Sequence, residues 1–338
     1  MSYTQVVTRG TGPTYSSTPG THPLIPEQVS QTIIKASIQK SAVRQLLKTR
    51  TMSTAQQRMP VLATKPQAYF VTGDTGLKQT TSMSWTNKFL DAEELAVIVP
   101  IPEKLLDDVG YDLWGEIKPE LEEALGIALD AAVLFGYNKP ASWPASIVAA
   151  AIAAGNTVTQ TVQTTTHDVA DDINNVMAAV ELDGYDVNGF FIRNSMKAEL
   201  RGLRDNQHGF IFNPPADSGL TNTVYKGTIY GEKAVSSMSG IFEDEDLGTY
   251  GRAANSVKLI AGDWSQGILG IRQDLTWKML DQSVITDGDG NIIWNLPQQD
   301  MVALRVVQRV AFQVPNPLNR LNMVEGTRYP FSVLRDIA

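Results

Sequence analysis

Between Asp112 and Gly136, the apolar residues Leu113, Ile117, Leu121, Ala124, Leu125, Ala128, Leu129, Ala132 and Val133 recur at threes and fours without a slip. That rhythm lays one stripe along a 3.6-residue period and predicts a single long amphipathic helix. Glu116, Glu120, Glu122 and Glu123 fill the opposite side of its first half, where a helix N-terminus favours negative charge. Asp112 is placed to cap the start, and Gly136 to end the helix in a left-handed conformation. Pro119 is discordant: either the regular helix begins there, or an earlier turn is kinked. Towards the far end Ile127, Ala131 and Leu134 make the outer side apolar too, so that end must be covered from more than one direction. At 1.5 Å per residue the element spans about 35 Å and acts as a spine.

A second long element matches it. Over Met301–Val314 the residues Val302, Leu304, Val306, Val310, Phe312 and Val314 alternate, with Gln308 the one polar residue on that face. At about 3.3 Å per residue such a strand reaches roughly 45 Å, and Pro315 and Pro317 stop it. A long helix and a long strand of similar reach suit each other as two layers of one elongated domain. The chain has 338 residues, 43% hydrophobic and 19% charged, enough for a sizeable core and more than one domain.

The regions between differ in character. Met1–Pro23 is rich in Ser, Thr, Gly and Pro, a flexible arm unless a partner orders it. Pro26 opens a short helix in which Val29, Ile33 and Ala36 share a face. Residues 60–99 read as β structure, with strands at Tyr69–Thr72 and Trp85–Leu90, turn chemistry at Gly73-Asp74 and Thr75-Gly76, and a return over Glu94–Val99. The polar stretch Thr72–Ser84 cannot bury enough surface to hold itself up and needs a neighbour to lie against. A short helix over Pro102–Val109 leads to the spine, and Tyr137–Pro144 is a linker after it.

Beyond the linker, strands and helices alternate. Thr157–Thr166 reads as strand, and Asp168 caps a helix carrying Val169, Ile173, Val176 and Val180 that ends before Gly184. Phe190–Ile192 is a buried strand, Asn194 caps a helix to about Leu203, and Arg204–Thr221 is a long loop. Strands follow at Val257–Ala261, Gly267–Arg272 and Leu275–Leu280, with a hairpin of Val284–Thr286 and Ile292–Trp294. The fold class is α+β.

Charge and chemistry are unevenly spread. The net charge of -8 argues against general affinity for nucleic acid or anionic membrane. Yet Leu24–Pro60 carries Lys35, Lys40, Arg44, Lys48, Arg50 and Arg58 against Glu27 alone, while Phe89–Glu123 is strongly acidic. The basic run is either a solvated face or a contact surface; as a contact it is expected to meet the acidic spine region, of a neighbouring subunit, through Lys35, Lys40 and Arg44 against Glu116 and Glu120, or else to face DNA. There is no cysteine, no signal peptide at the N-terminus and no bilayer-length apolar run, the longest being Ala145–Ala154, so a soluble protein made in a cytoplasm is expected. His22, His167 and His208 are isolated, and no phosphate loop, dinucleotide fingerprint or nucleophile elbow occurs. Asp287-Gly-Asp-Gly-Asn291 resembles the start of a calcium loop but has Ile292 and Gln298 where glycine and glutamate belong, so a hairpin turn explains it better. Glu243–Asp246 reads as a solvated acidic loop. No catalytic, cofactor or metal residue is assigned, and no enzyme activity is expected.

The order of these elements resembles the major capsid proteins of tailed bacteriophages, with the Hong Kong 97-type fold. Leu24-Ile-Pro-Glu27 and Ser41-Ala-Val43 resemble the start of the family's ordered arm. Val97–Asp107 and Leu129–Gly136 resemble the approach to and end of its spine helix. Leu200–Asp205, Ile260–Ser265 and Ile271–Thr276 resemble landmarks of its central domain, and Asp300–Arg309 its closing strand. The resemblance implies a flexible arm at 1–23, an ordered arm at 24–59, an extended hairpin loop at 60–99, a peripheral domain from 100–144 and 295–338, and an axial domain at 145–294. It implies a subunit that assembles with itself as hexamers and pentamers into an icosahedral shell around double-stranded DNA, without sequence specificity and with no membrane. A portal and separate scaffolding or cement proteins would be further partners; the protein would be made in a bacterial host's cytoplasm and reside in the virion. The extended loop would lie across a neighbour, which explains the unsupported ribbon and makes Lys65, Lys78, Trp85 and Lys88 contact candidates. No long scaffolding segment precedes Leu24, so any scaffold would be separate or already removed. The family's lysine–asparagine cross-link cannot be carried over: Lys65, Lys78 and Lys88 lie in the loop, but nothing singles out an acceptor among Asn316, Asn319 and Asn322. An encapsulin, a protein-storage shell on the same fold, is the nearest alternative, and a soluble enzyme using the acids near Asp287 a remote one.

Overall fold

The structure, a computed structural model, describes residues 41–71, 76–108, 113–162, 168–203, 226–237, 241 and 256–336. Helix α3 (Leu113–Asp130) lies on a four-stranded sheet. The sheet runs in the order β1 (Lys48–Thr51), β10 (Ile268–Leu280), β13 (Met301–Gln313), β4 (Glu93–Pro102). Leu121 and Leu125 of the helix pack on Leu304 and Val306 of β13, with Val97 and Val99 of β4 at the side. The stripe and the long strand thus meet through Ile117, Leu121 and Leu125, while Ala124 and Ala128 of the expected stripe stay exposed.

Two details of this layer, in β13 and β10, depart from the sequence reading. Strand β13 is buried on both faces instead of one, because Ala303 and Met301 meet Leu296 while Ala311 meets Met52, Met59 and Leu90. The two strands expected at 267–272 and 275–280 are one strand, β10, whose register against β13 slips between Ile271 and Gln273 and again before Thr276. The polar residues there make a bulge, which keeps the pairing going and adds twist. Pro119 lies inside the helix, and Asp112 falls outside the described residues. At its other end α3 widens into a π-helical turn, Ala131–Phe135, all of it buried. Gly136 closes it at φ 82° with its N–H on the carbonyls of Ala131 and Ala132, a conformation that favours a residue without Cβ.

A six-stranded mixed sheet carries the second layer system. Its order is β5 (Thr157–Thr159), β14 (Phe331–Arg335), β9 (Val257–Gly262), β6 (Gly189–Arg193), β8 (Glu232–Ser237), β7 (Lys226–Ile229). Helix α5 (Val169–Leu182) covers one face through Val169, Ile173, Val176 and Val180 against Phe190, Ile192 and Leu259. Helix α4 (Ile147–Ala154) belongs to the cluster on the other face, with Phe191, Ile260, Phe331 and Val333. Asp168 caps α5 in a reciprocal box with Asp171, as its spacing announced. In contrast, Ser195 rather than Asn194 precedes α6 (Met196–Gly202), and its side chain makes no capping bond. Strand β5 stops at Thr159, short of the ten residues expected.

The strand orders also join segments far apart in the chain. Phe331–Arg335 lies between β5 and β9, and β10 pairs with β1 and β13. Hydrogen-bonded neighbours, not proximity in sequence, decide sheet membership. The apolar cluster of α4 also contains the π turn, Val310 and Phe312, so one core runs from the spine's end into the six-stranded sheet.

Candidate assembly interface

A two-stranded ribbon of β2 (Gln56–Thr64) and β3 (Ser84–Asp91) leaves this body. Its base is fixed well. Met59 and Leu90 are buried with Met52 and Ala311, and Gly270 is tight there, since a Cβ on it would lie 2.4 Å from the Met52 sulfur. The indole N–H of Trp143 donates to the Asp91 carbonyl at 3.1 Å, and the Gln313 amide to that of Phe89 at 3.0 Å. The first strand expected at Tyr69–Thr72 is not seen over its described residues, 69–71: the paired strand lies upstream, and its last pair is Thr64 opposite Ser84. Pro66 removes a ladder donor just past Thr64, so the aromatic run after it has no strand to join.

Beyond Thr64 and Ser84 the described residues of the loop have little of their own to hold them. The Tyr69 hydroxyl donates to the Gln79 carbonyl at 2.7 Å. Around it Phe70 is 103% exposed, Leu77 89% and Trp85 60%. A run of large apolar side chains left in water is the signature of a surface meant for another molecule.

The segment between β13 and β14 braces the ribbon. Asp183, at the end of α5, is buried and accepts hydrogen bonds from the Asn156 amide at 2.7 Å, the Asn322 amide at 2.8 Å and the Tyr329 N–H at 3.0 Å. Its carbonyl accepts from the Asn319 amide. The buried Arg328 guanidinium donates to the Asn316 side chain at 3.1 Å and to the Asn322 carbonyl at 2.7 Å. From this braced loop Leu318 N–H reaches the Leu62 carbonyl at 3.3 Å, and Arg320 the Pro66 carbonyl at 3.1 Å. Lys88 pairs with Glu325 at 2.8 Å, which holds the Glu325 carboxyl below its usual range. The loop is a strut from the six-stranded sheet to the ribbon. Nothing in the sequence marked it: short polar side chains in a proline-bounded segment carry no period, and the partners that tie the segment to the sheet and the ribbon are more than a hundred residues away.

The arm's attachment is equally local. Asp130, near the end of the spine and 3% exposed, accepts the Ser41 hydroxyl at 2.5 Å and the N–H groups of Ala42 and Val43 at 2.7 and 3.1 Å. It thereby caps α1 (Ala42–Leu46) from another element. Burial raises its pKa to about 6, against the opposing pull of these donors and of Arg44.

The sequence-expected contact residues are scattered over these parts. Lys35 and Lys40 lie outside the described residues, as do the three histidines and Glu243–Asp246. Arg44 sits 3.6 Å from Asp274 of its own chain. Lys65 is half-buried, Lys78 and Trp85 are exposed, and Lys88 is engaged by Glu325. On α3, Glu120 is exposed and Glu116 is half-buried. Asn316, Asn319 and Asn322 are all bound within the strut. Asp287 bonds Asp289 N–H at 3.0 Å and Asn291 N–H at 2.8 Å, closing the turn between β11 (Val284–Thr286) and β12 (Ile292–Asn295). Among the described residues no cluster could hold a metal ion, and no helix is long and apolar enough to cross a membrane.

A spine helix on a long strand, a central mixed sheet and a braced ribbon with an exposed apolar outer half make up a subunit built for contact. The phage capsid family model matches residues 22–319. The chain belongs to the phage capsid family. The major capsid protein of Staphylococcus phage 80alpha is 26% identical over 289 residues, 83% of this chain and 79% of that protein. A solved structure from Microbacterium phage Oxtober96 is 38% identical, with a TM-score of 0.74 over 93% of this chain and 96% of that one. Another, from Mycobacterium phage Cain, is 30% identical with a TM-score of 0.77, over 93% and 95%. The capsid protein therefore has the α+β Hong Kong 97-type fold, is a component of the virion, and works as structure and not as an enzyme. Of the two shells the sequence left open, the encapsulin is not favoured.

Proposed function

We propose that this capsid protein is the major shell subunit of a tailed bacteriophage head, assembling with itself as hexamers and pentamers around double-stranded DNA held without sequence specificity. The observation that carries the reading is the ribbon, whose braced base supports an outer half with Phe70, Leu77 and Trp85 in water. A side chain such as Phe70 gains about 1.5–3 kcal/mol on burial, and a neighbouring copy supplies that burial when the ribbon lies across it. Lys65, Lys78, Trp85 and Lys88 are the ribbon's contact residues in this reading. A portal, together with scaffolding or cement proteins, completes the head, which is made in the cytoplasm of a bacterial host.

The test is assembly by the chain itself. Purified protein is expected to form closed shells in negative-stain micrographs, and Phe70→Ser with Trp85→Ser to leave soluble, folded monomers. In those monomers the amides of residues 76–83 are expected to exchange freely. Strong protection there, or shells of ordinary size from the double variant, would overturn the ribbon's role.

A further inference from the structure

Along the flank of α3 runs an apolar groove of about 470 Å³, walled by Ala124, Ile127, Ala128 and Ala131 of the spine region, Leu95 of β4, and Trp143. We propose that Ile33, Ile34 and Ile38 of the same chain's arm fill this groove, with Lys35 and Lys40 passing over Glu120 and Glu123. The inference deepens the capsid reading, because it assigns the arm to its own spine helix instead of a neighbour's.

Five observations support it. The arm enters the described structure at Ser41, whose hydroxyl is held by Asp130 and whose side chain lies against Gly126, where a Cβ would be 3.4 Å away. Ile127 and Ala131, the residues that follow those two on the helix, already line the groove. At 100° per residue the path from Ser41 to the groove crosses about a third of a helix whose diameter is about 10–12 Å, an arc of roughly 12 Å. Ile33 is eight residues before Ser41, a span of about 12 Å as helix and about 28 Å extended, and Ile38 is three before it, about 10 Å extended, so the arc is within reach either way. The groove also suits this occupant. Ala124 and Ala128 are small and exposed, giving it depth without a side chain of their own to fill it. The arc itself carries Glu120 and Glu123, opposite in sign to Lys35 and Lys40. Surface pairs of this kind fix register more than they add stability.

The chain contains no cysteine, so introduced thiols report cleanly. Ala128→Cys and Ala124→Cys are each combined with Ile33→Cys, Ile34→Cys or Ile38→Cys in the full-length protein and oxidised mildly, both before assembly and in shells. A disulfide requires Cα atoms within about 7 Å, so at least one pair is expected to close within a single chain. A non-reducing gel showing linked chains instead would assign the groove to a neighbour's arm and overturn the inference. So would a failure of all six pairs. In parallel, maleimide labelling of Ala128→Cys alone is expected to quicken tenfold or more when Ile33, Ile34 and Ile38 become serine. An unchanged rate would mean that the groove is open, or covered by something else. Micrographs of the same samples separate the two readings. Shells without an intrachain bond sink the inference alone; an intrachain bond in protein that never forms shells sinks the capsid reading alone.

Discussion

The six-stranded sheet and the ribbon are both built of β-strands, yet they stand at opposite ends of self-sufficiency. In the sheet, Phe190, Phe191, Phe331 and Val333 are wholly buried, and both faces are covered by helices of the same chain. In the ribbon, two strands have a buried base, and past Thr64 and Ser84 the large side chains stand in water. The sheet folds for itself. The ribbon is held in position by its strut and base, so that its outer half is presented instead of collapsed. Exposed apolar side chains on a braced element lose less entropy on docking than the same residues on a free loop.

The sharpest way to break this comparison is one substitution on each side. Phe331 lies between Trp264, with ring centroids 5.1 Å apart, and Tyr329, at 5.7 Å. Phe331→Ala is expected to cost about 3–5 kcal/mol in urea unfolding. Phe70→Ala is expected to stay within about 0.5 kcal/mol in the monomer while impairing shell formation. Equal losses from both would remove the distinction.

Asp130 asks on which side the arm's attachment belongs. Its folded pKa of about 6 lies above the ordinary 3.8, so the native state keeps a proton that the unfolded chain releases. The associated stability is full below about pH 4 and is lost as pH rises through about 6, a change of roughly 2–3 kcal/mol. The difference in unfolding free energy between wild type and Asp130→Asn is therefore expected to vary with pH in that window. If it stays constant, the Asp130 carboxyl titrates alike in the folded and the unfolded chain and burial does not raise its pKa.

The smallest effect is expected at the strut. Lys88 and Glu325 are partly exposed, so Lys88→Ala should change monomer stability by about 1 kcal/mol or less. Its consequence should appear in ribbon order, read as faster proteolysis between residues 65 and 83. Equal digestion of both proteins would leave the strut as mere filler.

Much of this body was legible because its signals are local and periodic. The spine stripe, the Asp168 box before α5, the buried Phe190–Ile192 strand and the Asp287 turn each declare themselves within a few residues. The order of such elements was enough to point to the capsid family. Tertiary structure alone decided what depends on distant partners. It placed β14 inside the six-stranded sheet, joined β10 through a bulge, moved the ribbon's first strand upstream of Pro66, and made Asp130 a cap for α1. It also turned Asn316, Asn319 and Asn322, ordinary loop residues in sequence, into the members of a strut. The physical reason is the same in each case. A helix's hydrogen bonds close within four residues and write a period into the chain, whereas a strand's ladder and a buried polar group's partners are chosen in space.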